Sequence, residues 1–169
     1  MSPAMTAVCE IRPVLPGEAL AVARMHVRAD RATYRPIFGA RFKGVAVAQS
    51  KARWEAALVA DDILLAAVEG GRIVGFAHAA GAWMSALYLL ASHHRRGVGA
   101  GLLARLCAQL RARGVAEVRF QAVAANAGAI AFYAAMGARQ VGMKLEGDGD
   151  DAWEDVVFAL ATDAPLRRG

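Results

Sequence analysis

An apolar run, Leu87-Tyr88-Leu89-Leu90-Ala91, passes through Ser92 into His93-His94-Arg95-Arg96-Gly97-Val98-Gly99, and apolar side chains recur at every fourth position through Val98, Leu102, Leu106 and Leu110. That succession specifies a strand, a tight turn and a helix whose stripe packs on a sheet, with Gly114 as its terminator. The opening turn of such a helix carries several N–H groups with no intrahelical partner and the positive end of the macrodipole, so it suits phosphate oxygens. Gly97 and Gly99 let the backbone approach a phosphate without a Cβ in the way, and Arg95 and Arg96 raise the local positive potential. The segment reads as an anion cradle.

Spacing separates the nucleotide motifs that such a turn can be confused with. A Walker A loop needs Gly-Lys followed by Ser or Thr, and this turn contains no Lys. A dinucleotide fingerprint fits Gly97, Gly99 and the acidic Glu117, but Leu102 fills its third glycine position and the turn comes after several strands instead of near the start.

A second constellation follows the strand at residues 118–123: Asn126-Ala127-Gly128-Ala129-Ile130-Ala131-Phe132-Tyr133-Ala134-Ala135-Met136-Gly137-Ala138. Locally, Asn126 is a good N-cap and Gly137 a good left-handed terminator for a helix between them. Capping alone and capping with a ligand contact both remain open for Asn126. Phe132 reads as core, and Tyr133 reads either as a buried structural tyrosine or as a proton donor beside the phosphate turn.

Together the two segments resemble motifs A and B of the GCN5-related N-acetyltransferase (GNAT) superfamily, in that family's order. Motif A runs Gln or Arg, two residues, Gly, one residue, then Gly or Ala, and here His94, Gly97 and Gly99 stand in those places. Motif B runs Asn, two residues, Ala, two residues, Phe-Tyr, three residues, Gly, matched by Asn126, Ala129, Phe132, Tyr133 and Gly137. The departures are His94 for Gln or Arg, Ala91 for a frequent proline, and Ala138 for an aromatic. The resemblance implies an α/β fold, a central mixed, mostly antiparallel sheet with helices on both faces, and a single N-acetyltransferase domain over residues 1–169 with frayed ends at about 1–6 and 163–169. It implies acetyl-CoA as cosubstrate with no metal, held by Leu89, Leu90 and Ala91, by His94, Arg95, Arg96, Gly97, Val98, Gly99 and Ala100, and by Asn126, Ala129, Phe132 and Tyr133. Tyr133 would protonate the departing thiolate, and a main-chain N–H on the strand at 87–90, splayed from that at 118–123, would hold the oxyanion.

Acyl transfer from a thioester to an amine needs a neutral amine, a stabilised oxyanion and a thiolate that collects a proton. A thiol titrates at about 8.5 and an alkyl amine at about 10.4, so the amine is the partner that must first lose a proton. Relatives often carry a carboxylate just ahead of the Leu-Tyr pair, where this chain has Ser85-Ala86. His78 on the preceding strand is the base put forward here, against the plainer reading of a structural strand histidine; His26, Glu154 and Asp155 are alternatives.

Periodicity places a strand at 8–14, helices at about 17–28 and 49–59, strands at 63–68, 73–80 and 84–90, and a closing hairpin of 139–145 with 153–161. Residues 30–44, broken by Pro36 and Gly39, read as a loop whose Tyr34 and Phe38 touch substrate or pack beneath it. Glu146, Asp148, Asp150, Asp151, Glu154 and Asp155 follow one another without a Lys or Arg, as a solvated turn or as an acidic lip for a cationic amine.

With 57% apolar and 21% charged residues the chain is globular. Its net charge of +5 is dispersed without a contiguous run, and only 7% of residues are aromatic, which argues against nucleic acid as a partner. No apolar run suits a bilayer and no leader pattern opens the chain, so a cytoplasmic protein is expected. Cys9 and Cys107 read as reduced and buried, outside any metal-ligand spacing. The functional expectation is transfer of acetyl from acetyl-CoA to a primary amine, on a small molecule or peptide, by direct attack. Homodimers are common among relatives. The alternative from another class is a non-catalytic acyl-CoA sensor, kept open by the missing acid at Ala86.

Overall fold

Residues 63–67, Ile-Leu-Leu-Ala-Ala, form an unbroken apolar run that needs cover on both faces, and both faces are covered. The computed structural model describes residues 9–166. Its strands are β1 (Glu10–Pro13), β2 (Ile63–Glu69), β3 (Arg72–Ala80), β4 (Trp83–Leu89), β5 (Glu117–Val123), β6 (Arg139–Glu146) and β7 (Trp153–Ala161), and its helices α1 (Ala19–Phe38), α2 (Val47–Val59), α3 (Val98–Ala112) and α4 (Ala127–Ala135). The strands form one sheet in the order β1-β2-β3-β4-β5-β7-β6, antiparallel throughout except between β4 and β5.

Alternation sorts each strand between two cores. Ile63, Leu65 and Ala67 join the α3 stripe of Leu102, Leu103, Leu106 and Leu110, together with Tyr133 and Met136 of the α4 segment. Leu64, Ala66 and Phe76 join Val22, Ala23 and Met25 of α1 and Trp54 and Ala57 of α2 on the other face. The β2–β3 hairpin turns on Gly70 and Gly71, at φ +56° and +73°, the left-handed pair that a two-residue hairpin of this twist requires.

One bulge decides which face β4 shows to each core. His78 pairs with Ala86 and Ala79 with Met84, leaving Ser85 as the extra residue. Met84 therefore packs on the α3 side while Ala86, two positions on, packs on the α1–α2 side, together with Tyr88.

The helix at 17–28 is longer than periodicity indicated, and residues 30–38 are not a loop. α1 runs on to Phe38 with Pro36 inside its last turn, where proline removes only the N–H that would have reached the Ala32 carbonyl. Gly39, at φ +56°, ends the helix with its N–H on the Arg35 carbonyl. Aromatic contacts hold this end down, Phe38 against Trp153 with centroids 5.5 Å apart and Tyr34 against Phe38 at 6.1 Å.

The expected frayed end at 1–6 lies outside the described residues, as do Val8 and residues 167–169. The part of the other end that is described is anchored: Ala164 and Leu166 pack against the core, and the Thr162 hydroxyl donates to the Val115 carbonyl at 2.8 Å. Among the described residues no helix is long and apolar enough to cross a membrane.

Leu106 sits at the centre of the α3 stripe with 0% exposure. Leu106→Ala is expected to cost about 2–5 kcal/mol, read as a lower urea midpoint at unchanged slope.

Candidate functional site

The parallel neighbours β4 and β5 share a single ladder pair, Trp83↔Arg119, fixed by the Arg119 N–H on the Ala82 carbonyl at 2.9 Å. Beyond it the two strands part. β4 stays on β3, while β5 pairs along its whole length with β7, from Glu117↔Ala161 to Val123↔Asp155. The Ser85 bulge bends β4 at the start of this gap, and a short 3-10 turn at Ala91–His93 carries the chain from β4 into α3.

The turn is built as a cradle. Arg95 and Gly97 take φ of +59° and +77°, and the Gly97 carbonyl accepts the Gly101 N–H at 3.0 Å, so the N–H groups of Val98, Gly99 and Ala100 have no intrahelical partner. His94 donates from Nε2 to the Leu89 carbonyl at 3.1 Å, tying the turn to the end of β4. Arg96 donates to Glu69 at 2.6 Å, and the same carboxylate meets His93 Nε2 at 2.7 Å. Arg96 first and His93 second hold the Glu69 carboxyl below its ordinary range. Arg95 is left exposed beside the turn.

The second motif lies against the first. Asn126 Oδ1 accepts the Ala129 N–H at 3.2 Å, so it caps α4, and a Cβ on Gly99 would lie 3.5 Å from the Phe132 ring. Tyr133 is buried among Phe120, Phe132 and Phe158, with centroids 4.5, 5.2 and 5.6 Å away. Burial pushes its hydroxyl well above the usual tyrosine range, so it stays protonated at neutral pH. Among the described residues that hydroxyl has no hydrogen-bond partner.

A cavity of about 420 Å³ is lined by Tyr88 of β4, Val123 of β5 and Asp155 of β7, residues from the strands on either side of the gap. Its far wall is the end of α1 with His26, Asp30, Tyr34 and Phe38, and Arg53 reaches it from α2. Tyr34 and Phe38 thus line a cavity, from a helix and not from a loop. The acidic segment closes the side: Arg41 donates to the Asp150 carbonyl at 2.7 Å and Lys43 to Asp151 at 3.1 Å, with Asp151 and Trp153 in the lining. Asp148 and Asp150 remain exposed.

The base candidates separate by environment. Asp155 is 5% exposed, holds Trp153 Nε1 at 3.0 Å and Gln121 Nε2 at 2.7 Å, and has its carboxyl pushed up by burial. Burial also drives His26 down to about 4, and its Nδ1 takes the proton of Ser50, whose oxygen is occupied by Trp54 Nε1. His26 is a neutral core residue at the cavity floor. Glu154 faces outward. His78 is not brought to the cavity lining: Nδ1 meets the Ser85 hydroxyl at 2.6 Å and Nε2 meets Asp62 at 2.8 Å. Burial lowers its pKa despite Asp62, so the ring is neutral. Arg53 donates to the same Ser85 oxygen at 2.9 Å, which leaves one consistent pattern: Arg53 donates to Ser85, Ser85 to His78 Nδ1, and His78 Nε2–H to Asp62. Sequence spacing carried no signal for this relay, because its members come from four separate segments. Among the described residues no group of three or more His, Cys, Asp or Glu is placed to hold a metal ion.

The model of the acetyltransferase (GNAT) family matches residues 27–138. No curated protein matches the chain. Among solved structures it is similar to yncA of Salmonella typhimurium with its cofactor acetyl-CoA, at TM-score 0.74 and 20% identity, covering 96% of this chain and 99% of that one. It is also similar to an N-acetyltransferase from Staphylococcus aureus Mu50, at TM-score 0.72 and 18% identity over 93% and 100% of the two chains. A third, the PaiA N-acetyltransferase of Thermoplasma acidophilum with coenzyme A, gives TM-score 0.72 and 18% identity over 91% and 99%. At these identities the structures establish a shared fold.

The two motif glycines should respond differently to alanine. Gly97 needs its left-handed φ, so Gly97→Ala is expected to lose about 1–2 kcal/mol in thermal unfolding. Gly99 has ordinary van der Waals room toward Phe132, so Gly99→Ala should leave the melt unchanged or raise it.

Proposed function

The chain belongs to the GNAT acetyltransferase family, and from that membership we propose that it transfers the acetyl group of acetyl-CoA directly to a primary amine seated in the cavity at the β4–β5 gap. The supporting observations are a turn with unpartnered N–H groups at the end of β4, a Tyr133 hydroxyl that burial keeps protonated on α4, and a cavity across the β4–β5 gap holding the desolvated carboxyl of Asp155. Each matches one requirement of the reaction.

In this reading the N–H groups of Val98, Gly99 and Ala100 take phosphate oxygens, helped by Arg95, while Leu89, Leu90 and Ala91 offer main chain along the edge of β4. Asn126, Ala129 and Phe132 shape the other side. Acetyl-CoA supplies the acetyl thioester and a thiolate leaving group. Tyr133 gives that sulfur its proton. Asp155 takes the proton of the amine through a water, and the burial that raises its pKa brings its basicity toward neutrality. The same low-dielectric surroundings disfavour the charged amine, narrowing the gap between donor and acceptor.

Direct transfer is favoured over an acyl-enzyme route because the buried thiol, Cys107 on α3, is pushed up to about 11 by desolvation and carries almost no thiolate. The aromatic walls, Tyr34 and Phe38, and the carboxyls of Asp30 and Asp155 suit an amine approaching as a cation.

Calorimetric titration of acetyl-CoA followed by thiol release against an amine panel tests the reading. Tyr133→Phe is expected to lower kcat by about a hundredfold with acetyl-CoA affinity retained; full activity in that variant, or no binding of acetyl-CoA, overturns it. A base must be ionised to act, so kcat/KM should rise with pH through an inflection above the ordinary carboxylate range. Asp155→Asn should flatten that limb.

A further inference from the structure

Arg53 is an unusual wall residue. Of the cations at the cavity, Lys43 is paired with the Asp151 carboxylate and Arg41 reaches out to the main-chain carbonyl of Asp150, whereas Arg53 has no carboxylate partner among the described residues and is fixed toward the cavity from β4. Its guanidinium spends a donor on Ser85 and stacks over Trp54 at 4.6 Å from the ring centroid. Ser85 is in turn oriented by His78, and His78 by Asp62, so three side chains fix the direction from which Arg53 meets the cavity. Holding a flexible arginine this way costs side-chain entropy, and among the described residues no carboxylate receives its remaining donors.

We propose, resting on the amine-acetylation reading above, that the acceptor is an amine that also carries a carboxylate, with Arg53 binding that carboxylate while Asp155 faces the amine. The arrangement of strands supports this polarity. Arg53 is pinned to Ser85 on β4, Asp155 lies on β7 beyond β5, and the gap where the amine attacks opens between them. The planar fork of a guanidinium matches a carboxylate through two parallel hydrogen bonds. His78, Ser85 and Asp62 are positioning residues in this account: they act through Arg53.

The test uses the intact protein, acetyl-CoA, and acceptor pairs differing only by the carboxylate: L-phenylalanine with phenethylamine, and 4-aminobutyrate with propylamine. In at least one pair the carboxylate-bearing member is expected to have kcat/KM about tenfold to a hundredfold higher. Arg53→Ala should collapse that preference toward unity through KM and not kcat, Arg53→Lys should recover part of it, and Ser85→Ala should weaken it in the same direction. Equal use of both members in every pair, or a preference kept in full by Arg53→Ala, overturns the inference. Turnover of the carboxylate-free amines alone overturns it while leaving acetyl transfer standing. Acetyl-CoA binding with no thiol release from any amine defeats the transfer reading, and this inference with it.

Discussion

Two neighbouring parallel strands that meet at a single residue pair leave a row of main-chain groups without a sheet partner, and the rest of the site is arranged around that gap. β5 parts from β4 but stays in the sheet, because β7 pairs its other edge along its full length. β4 is held by β3 and bent by the extra residue at Ser85. The opening is thus made by ladders that remain closed on the outer sides, which is how a sheet can carry a cleft without losing its core.

Desolvation then sets the chemistry of each group around the gap, and its sign differs by group type. The same burial that keeps Tyr133 protonated raises Asp155 and lowers His26 and His78. A buried imidazole loses basicity on burial and a buried carboxyl gains it. The shifts carry a carboxyl toward neutrality and an imidazole away from it, although histidine is the usual expectation near neutral pH.

That reversal explains why the base was the least legible part of the sequence. His78 stood out because it is a histidine on a strand beside the cleft-forming strand, but residue type carries no information on whether both ring nitrogens will be occupied. Asp155 stood only among the alternatives, at the end of a run of acids, and its burial and its pairing opposite Val123 distinguish it from Glu154 beside it. The glycines and the Phe-Tyr pair, by contrast, were readable because backbone constraints at a helix start and spacing along one short helix are local. The mixed, mostly antiparallel sheet with helices on both faces also formed as the resemblance implied. The end of α1 was misread since a proline in a last turn looks, in sequence, like a proline that breaks a helix.

Catalytic groups need not come from a fixed strand when the cleft is bordered by several. The strand segment ahead of Leu87-Tyr88 has no acid, and in the proposed reaction the carboxyl comes instead from β7, where Asp155 pairs opposite Val123. The position left without an acid acquires a different use. Ser85, free of the regular ladder at the bulge, points its hydroxyl to His78 and offers its oxygen to Arg53, which places a cation on the β4 side of the cavity. In the proposed reading, a carboxylate on one side of the gap and a cation on the other give the cavity a polarity that a single acid on β4 would not have, and acceptors are selected by the placement of their own charges.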